Sequence, residues 1–204
     1  GMRGIDRFEI RGRGFAQRLT GTEAGIGFYG IQTCTGEMEL TARMNIRNDT
    51  IPRSIAVIGA ARSGLAAARL LSGMDRRVFI SDTCARETLE LVLAANGLAH
   101  VDHEAGGHTD AVLEHEMIVL SPGVPADIPI LKKARKAGIP VLSELELGFR
   151  LCAAPFLAVT GSSGKSTTVS LLGAIMEATQ RPCVVAGDLG LPLIQVVADC
   201  TEET

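Results

Sequence analysis

The sequence has 204 residues, of which 46% are hydrophobic and 21% charged, enough for one ordinary domain with a core and part of a second domain. A net charge of −3 and an aromatic content of 3% argue against attraction to nucleic acid or anionic membranes, and against base-stacking surfaces. No CxxC pair occurs, no apolar run has the length of a membrane span, and no signal peptide precedes the first domain. These features predict a soluble, cytoplasmic protein whose cysteines are reduced thiols.

Residues 1–50 differ from the rest of the chain. They are rich in Gly and Arg and show no helical or strand period. Gly1 and Met2 look like the scar of a cleaved expression tag. The remainder is either a natural extension or upstream sequence, with Met38 or Met44 as the true start. A short strand is possible at 27–32, and we assign this N-terminal extension no chemistry.

From residue 51 to residue 152 the pattern becomes regular. Strands are predicted at 54–58, 78–81, 117–120 and 141–142, and helices at 63–71, 87–95, 128–137 and 144–150. Strands that alternate with helices at this spacing imply βαβ units. The sequence therefore predicts an α/β fold in which a Rossmann-like domain has a parallel sheet covered on both faces.

A second α/β domain is predicted to begin at residue 153. Its elements are a strand at 155–160, a helix at 165–178, a strand at 183–186 and a helix at 193–198. Residues 153–204 would then be only the first part of that domain.

The stronger of two phosphate-binding signals lies between the first strand and helix of this second domain. The loop consists of Gly161, Ser162, Ser163, Gly164, Lys165, Ser166 and Thr167. Its glycines allow backbone N–H groups and a helix N-terminus to surround phosphates. Lys165 can neutralise the outer phosphates, and the Ser166 hydroxyl can bind the Mg²⁺ that accompanies ATP. The general pattern has Gly where Val159 stands, so a fortuitous Gly-Lys-Ser at a helix start is the alternative.

The weaker signal follows the first strand. It consists of Gly59, Ala60, Ala61, Arg62, Ser63 and Gly64. This is the strand–turn–helix setting of a dinucleotide fingerprint, but Ala61 replaces the middle Gly. Asp82 closes the second strand about 20 residues further on, where an acidic residue can accept hydrogen bonds from a nucleoside. The alternative is a purely structural turn.

Other polar groups carry weaker signals. Four histidines (His100, His103, His108 and His115) lie in a polar stretch that contains glycines, which favours a solvated loop over a metal site. The basic run at 132–136 predicts a solvated helix face. Glu144 and Glu146 are interpreted as a pair at a helix start.

With both turns in place, the chain resembles the Mur ligases, and among them the members that add D-glutamate. The matching pieces are residues 59–65, 82–83, 121–123, 143–147, 160–167 and 187–192, in the same order and spacing across 54–194. The family's phosphate loop reads Thr-Gly-x-x-Gly-Lys-Ser-Thr, which accounts for Val159.

The resemblance implies a role for each matching piece. The first domain would hold the UDP of UDP-N-acetylmuramoyl-L-alanine, with the glycine turn at the diphosphate and Asp82 and Thr83 at the uracil. The same pocket would be lined by Ser121, Pro122 and Gly123. The phosphate loop would hold ATP, with Lys165 as the catalytic residue and Ser166 on Mg²⁺. Asp188 stands where the family has an Asn facing the muramoyl portion, and a carboxylate only accepts hydrogen bonds.

The chemistry implied is ATP-driven amide formation in peptidoglycan precursor synthesis. The substrate carboxylate takes the γ-phosphoryl group to become an acyl phosphate, which the amine of D-glutamate attacks. The family's later Mg²⁺-binding acid and His, its modified Lys and its third domain are not found before Thr204. We therefore expect an incomplete fragment that is inactive alone and self-associates through an open sheet edge.

Three other functions remain open at this point. The first is another Mur-type ligase, such as the L-alanine-adding enzyme, or a folylpolyglutamate synthase. The second is an NAD-dependent Rossmann oxidoreductase, against which Ala61 and the second phosphate loop argue. The third is a non-catalytic nucleotide-binding module.

Overall fold

The computed structural model describes residues 51–187, 191–201 and 204. The N-terminal extension with its predicted strand at 27–32 lies outside the described residues, and so does Asp188.

Up to residue 152, the described elements follow the predicted alternation of strands and helices, with one additional strand. The strands are β1 (Ser54–Ile58), β2 (Arg77–Ser81), β3 (Asp102–Glu104), β4 (Met117–Leu120) and β5 (Val141–Ser143). The helices are α1 (Arg62–Gly73), α2 (Arg86–Ala95), α3 (Pro129–Lys136), α4 (Glu144–Leu151), α5 (Lys165–Ala178) and α6 (Leu193–Val196), with 3₁₀ turns at Asp110–Glu114 and Val197–Asp199. In the described part of the chain, no helix is long and apolar enough to cross a membrane.

The five strands form one parallel sheet in the order β3-β2-β1-β4-β5. Strand β1 is central, with Ile55 opposite Val78 of β2 and Met117 of β4. This confirms the predicted α/β fold with a parallel sheet. Strand β3 was not predicted, because a three-residue strand of Asp, His and Glu has no apolar run to reveal it.

Alternate residues of β1 supply the two faces of the core. Ile55 and Val57 pack in the cluster that also holds α1 side chains, such as Leu71. Ala56 and Ile58 pack in a second cluster on the other face, formed with α3 and the 3₁₀ turn Asp110–Glu114. Because both faces are covered, β1 is apolar at each of these four positions rather than at every second one.

Helix α4 begins with a side-chain cap that its sequence encodes. The Oγ of Ser143 accepts a hydrogen bond from the Glu146 N–H at 3.0 Å, which satisfies one of the free donors of a helix start. The buried Glu144 accepts from the Ile194 N–H at 2.8 Å and so attaches α6 to α4. Gly148 allows this approach, since a Cβ there would lie 3.0 Å from the Leu193 side chain.

The strands predicted at 155–160 and 183–186 are wrong: neither stretch is a strand in the structure. A strand exists only when its backbone pairs with a neighbour, and these stretches have none among the described residues. Helix α5 forms as predicted, although none of its residues is buried. Apolar side chains of this region stay exposed, namely Leu157, Leu171, Ile175, Val184, Val185 and Leu191.

Candidate functional site

The glycine turn after β1 is held in place by close backbone packing. Gly59 has a φ of +96° and donates its N–H to the Ser81 carbonyl at 2.9 Å. Gly64, in the first turn of α1, lies directly against this turn. A Cβ at Gly64 would lie only 1.8 Å from the Gly59 carbonyl oxygen. Both glycines are therefore needed for helix α1 to start this close to the end of β1.

Asp82 joins the glycine turn to the turn after β2. Its Oδ2 accepts the Ala60 N–H at 2.6 Å, and its Oδ1 accepts the Cys84 N–H at 2.8 Å. Burial alone would raise the pKa of Asp82, but the backbone N–H groups of Ala60 and Cys84 outweigh it and lower the pKa. Asp82 is therefore an ionised brace between two loops.

Ser121 ties the end of β4 to the same turn. Its buried Oγ donates to the Gly59 carbonyl at 3.0 Å, while Thr83, Pro122 and Gly123 are exposed. The structure thus brings the carboxyl ends of β1, β2 and β4 together. From β1 the strand order continues to β2 and β3 on one side and to β4 and β5 on the other, so it changes direction at β1. Ligands of open α/β sheets bind in the crevice at such a change of direction.

Helix α1 points an uncapped N-terminus into this crevice. Its N-cap, Ala61, makes no side-chain hydrogen bond to the helix, so the N–H groups of the first turn are available to an anion. Arg62 is the first helical residue and is exposed, and Ser63 is half-buried beside it. The glycine turn, the N-terminus of α1, Asp82 and Ser121 form the first-domain site.

The phosphate loop has the backbone of an anion-binding turn. Gly161 and Gly164 have φ values of +150° and +78°, and Gly164 is the N-cap of α5 without a side-chain cap. The Lys165 Nζ donates to the Gly161 carbonyl at 2.6 Å, so its ammonium group lies across the loop. All seven residues from 161 to 167 are exposed. The free N–H groups and the ammonium fit the phosphates of ATP, and the Ser166 hydroxyl is available for its Mg²⁺.

The histidines do not form the solvated loop that we predicted. His115 is 7% exposed, stacks on Phe79 at a ring-centroid separation of 5.1 Å, and hydrogen-bonds the Ser54 Oγ through Nδ1 at 2.7 Å. His103 and His108 are half-buried, and only His100 is exposed. The reason is strand β3, which was not predicted and which pairs this stretch of the chain with β2. Among the described residues, no group of His, Cys, Asp and Glu could hold a metal ion.

Sequence reasoning missed a polar cluster beside Asp82. Ser81 Oγ donates to Glu104 Oε1 at 2.6 Å and lies 2.6 Å from the Nδ1 of His108. Glu104 also accepts the N–H and the hydroxyl of Thr109. The one indication of this cluster is the position of its residues in the sheet. Ser81 and Glu104 are the last residues of adjacent parallel strands, at the same edge as the glycine turn. Without strand β3, Glu104 and His108 could not be assigned to that edge.

Comparison with known proteins identifies the first domain. Residues 53–143 match the family model described as the Mur ligase MurD-like N-terminal domain. Over this stretch the chain is similar to the N-terminal domain of Mur ligases. This confirms the resemblance that the two turns suggested.

Several curated proteins that this chain is similar to share one name. The chain is similar to the UDP-N-acetylmuramoylalanine--D-glutamate ligases of Desulfosudis oleivorans (43% identical, 72% of this chain, 32% of the relative) and Salinibacter ruber (41%, 76% and 35%). That of Acidobacterium capsulatum is 40% identical over 74% of this chain and 33% of its own length. The chain therefore spans about a third of the length of these relatives.

Solved structures of Mur ligases are also similar to the chain. One is the UDP-N-acetylmuramate-alanine ligase of Thermotoga maritima, with 19% identity, a TM-score of 0.40, and coverage of 63% of this chain and 30% of that one.

Proposed function

We propose that this chain is the nucleotide-binding part of a Mur ligase that adds D-glutamate to UDP-N-acetylmuramoyl-L-alanine with ATP. The observation that carries the proposal is the crevice formed by Gly59, Asp82, Ser121 and the uncapped start of α1, in a domain whose relatives share that enzyme name. The alternative is another Mur-type ligase, such as the L-alanine-adding enzyme, or a folylpolyglutamate synthase.

The features of the first-domain site favour binding of a nucleoside diphosphate over a purely structural role for the glycine turn. The N-terminus of α1 offers N–H groups and the positive end of its dipole to the diphosphate. Asp82 and the exposed Thr83 would then lie on the nucleoside side, and Ser121, Pro122 and Gly123 on the opposite wall. Ala61 stands where the dinucleotide fingerprint has its middle Gly, and this departure from the pattern argues against NAD.

The phosphate loop would bind the second nucleotide. Lys165 would exchange its contact with the Gly161 carbonyl for the outer phosphates of ATP, since an ammonium–phosphate contact is charge-assisted. Ser166 would be the protein ligand of Mg²⁺. Bound Mg²⁺ would neutralise phosphate charge during transfer.

The reaction we propose proceeds through an acyl phosphate. The carboxylate of UDP-N-acetylmuramoyl-L-alanine attacks the γ-phosphorus of ATP, and ADP leaves. The amine of D-glutamate attacks the acyl carbon, and inorganic phosphate leaves as the amide forms. Lys165 would contribute by positioning and by stabilising charge on the transferred group. Such precursors are made in the cytoplasm, which is where we place the protein.

The deciding experiment measures which nucleotide the first-domain site binds. Isothermal titration of the 204-residue chain with UDP, UDP-N-acetylmuramoyl-L-alanine and NAD should give measurable binding of both uridine nucleotides and weaker or no binding of NAD. Tighter binding of NAD would refute the ligase proposal and support the oxidoreductase alternative. Binding of neither class would support a structural turn.

A second measurement concerns turnover and association. Because the chain spans about a third of its relatives' length, we expect no D-glutamate-dependent phosphate release from it. The exposed apolar side chains of 157–191 would favour self-association, which light scattering on the same sample detects. Phosphate release would contradict the first expectation, and a monodisperse monomer the second.

A further inference from the structure

The carboxyl edge of β2 and β3 carries a polar cluster that the proposed function does not use. Ser81 is fully buried, yet its Oγ lies 2.6 Å from Glu104 Oε1 and 2.6 Å from His108 Nδ1. Buried polar groups are retained where their hydrogen bonds are satisfied and hold a defined geometry. This cluster, Ser81–Glu104–His108, lies at the side of the first-domain site.

Counting protons fixes the tautomer of His108. Burial would raise the pKa of Glu104, but hydrogen bonds from Ser81 and Thr109 outweigh it and lower the pKa. An ionised carboxylate only accepts, so the single hydroxyl proton of Ser81 goes to Glu104. The Ser81 oxygen must then accept from His108, which therefore carries its proton on Nδ1. In the neutral form of the ring, the Nε2 atom is then left as an acceptor.

Backbone hydrogen bonds hold the His108 loop against Asp82. The Gly106 N–H donates to the Cys84 carbonyl at 2.9 Å, and the Gly107 N–H donates to the Asp82 carbonyl at 3.3 Å. Among the described residues, none hydrogen-bonds the Nε2 of His108. A half-buried imidazole with one nitrogen locked and the other without a protein partner thus adjoins the residue on the nucleoside side.

We infer that His108 is a ligand-binding residue of the first-domain site, whose Nε2 accepts a hydrogen bond from an N–H or O–H of a uridine nucleotide. Ser81 and Glu104 are its positioning residues, because they fix the tautomer and the ring. This inference rests on the proposed function. It adds the loop after β3, which contains His108, to the parts of the chain that line the pocket.

Two amide substitutions separate a ligand contact from a merely structural role. In His108→Asn the amide can replace Nδ1 and keep the contact with Ser81, but nothing reaches the Nε2 position. In His108→Gln the amide can reach the Nε2 position, but it no longer contacts Ser81. His100→Asn is the matched control, because His100 is an exposed histidine of the same stretch.

The assay is isothermal titration of each variant with UDP. One hydrogen bond corresponds to about a three- to tenfold change in affinity, so His108→Asn should weaken UDP binding by that factor. His108→Gln should retain more affinity than His108→Asn, and His100→Asn should match the wild type. Equal affinity of the wild type and His108→Asn would overturn the inference and leave the proposed function standing. Absence of UDP binding by the wild type would instead defeat both.

Nuclear magnetic resonance of ¹⁵N-histidine-labelled wild type tests the inference without any variant. The free protein should show His108 protonated on Nδ1, and UDP should shift its Nε2 resonance. In Ser81→Ala the ring should become a mixture of tautomers. An Nε2 resonance that saturating UDP leaves unmoved, or a ring protonated on Nε2 in the free protein, would overturn the assignment.

Discussion

Replacement of Gly64 by Ala tests the packing on which the first-domain site depends. The added Cβ would lie 1.8 Å from the Gly59 carbonyl oxygen and 2.5 Å from the Ser121 Oγ, whereas contacts under 3.0 Å are essentially never observed. The nearest atom belongs to the backbone, so no side chain can rotate away to make room. Helix α1 and the glycine turn would have to move apart.

The expected cost is large for so small a side chain. Overpacking a tight site costs about 1–3 kcal/mol, and the displaced turn would also lose its hydrogen bond from Ser121, about 1 kcal/mol. We expect Gly64→Ala to lower the free energy of unfolding by about 3 kcal/mol. With a urea dependence of about 1–3 kcal/mol per molar, the unfolding midpoint should fall by about 1–3 M.

Helix α1 supplies its own control. Gly73 is the last residue of the same helix, and a Cβ there meets nothing within 4 Å. Gly73→Ala should be neutral or stabilise the protein by up to about 1 kcal/mol, because Ala loses less backbone entropy than Gly in a helix. Equal urea midpoints for the two variants would refute the close approach of α1 to the turn. Loss of UDP binding in Gly64→Ala alone would link that approach to the site.

Three further predictions concern single side chains. Ser121→Ala leaves the Gly59 carbonyl without its buried donor and should cost about 1–3 kcal/mol in urea unfolding; an unchanged midpoint would contradict this. Burial, with the charge of Arg77, lowers the pKa of His115 below 6.5, so its contribution to stability is complete above pH 6.5 and is lost as the pH falls through the folded-state pKa. The urea midpoint of the wild type should therefore fall more between pH 7 and pH 5 than that of His115→Gln, and equal falls would disprove the argument. Lys165→Ala should weaken binding of Mg·ATP by about 1.5–3 kcal/mol in calorimetry, whereas Lys132→Ala on an exposed helix face should not; equal effects would mean that the loop is structural.

The sequence was sufficient to predict those strands and helices whose own residues form a recognisable apolar pattern. Strands β1 and β4 are short apolar runs, and helix α1 follows a glycine turn with regular apolar spacing, so their positions agree with the prediction within two residues. Strand β3 carries no such signal: Asp102 and Glu104 are polar, and the strand exists because β2 offers it hydrogen bonds. Local pattern cannot reveal an element that only a neighbour stabilises.

The same distinction explains what was found and missed at the site. Gly59, Gly64 and Asp82 were predicted because a motif fixes their spacing. Glu104 and His108 belong to no motif, and they reach the site only through the parallel pairing of β2 with β3. The strands predicted at 155–160 and 183–186 failed for the opposite reason. Their apolar runs are suitable for a strand, but the described residues give them no partner to pair with.

Asp82 shows how one carboxylate can brace the site and still bind a ligand. An ionised carboxylate has about four lone-pair positions, and the N–H groups of Ala60 and Cys84 use one on each oxygen. The remaining positions can accept from a nucleoside, so the role implied by the family and the bracing seen in the structure are compatible. Removing this carboxylate would therefore weaken nucleotide binding in two ways, by losing a contact and by releasing the glycine turn. The side chains of the Ser81–Glu104–His108 cluster separate these effects. They adjoin the pocket, and Ser81 holds the glycine turn only through its backbone carbonyl, which a side-chain substitution leaves in place.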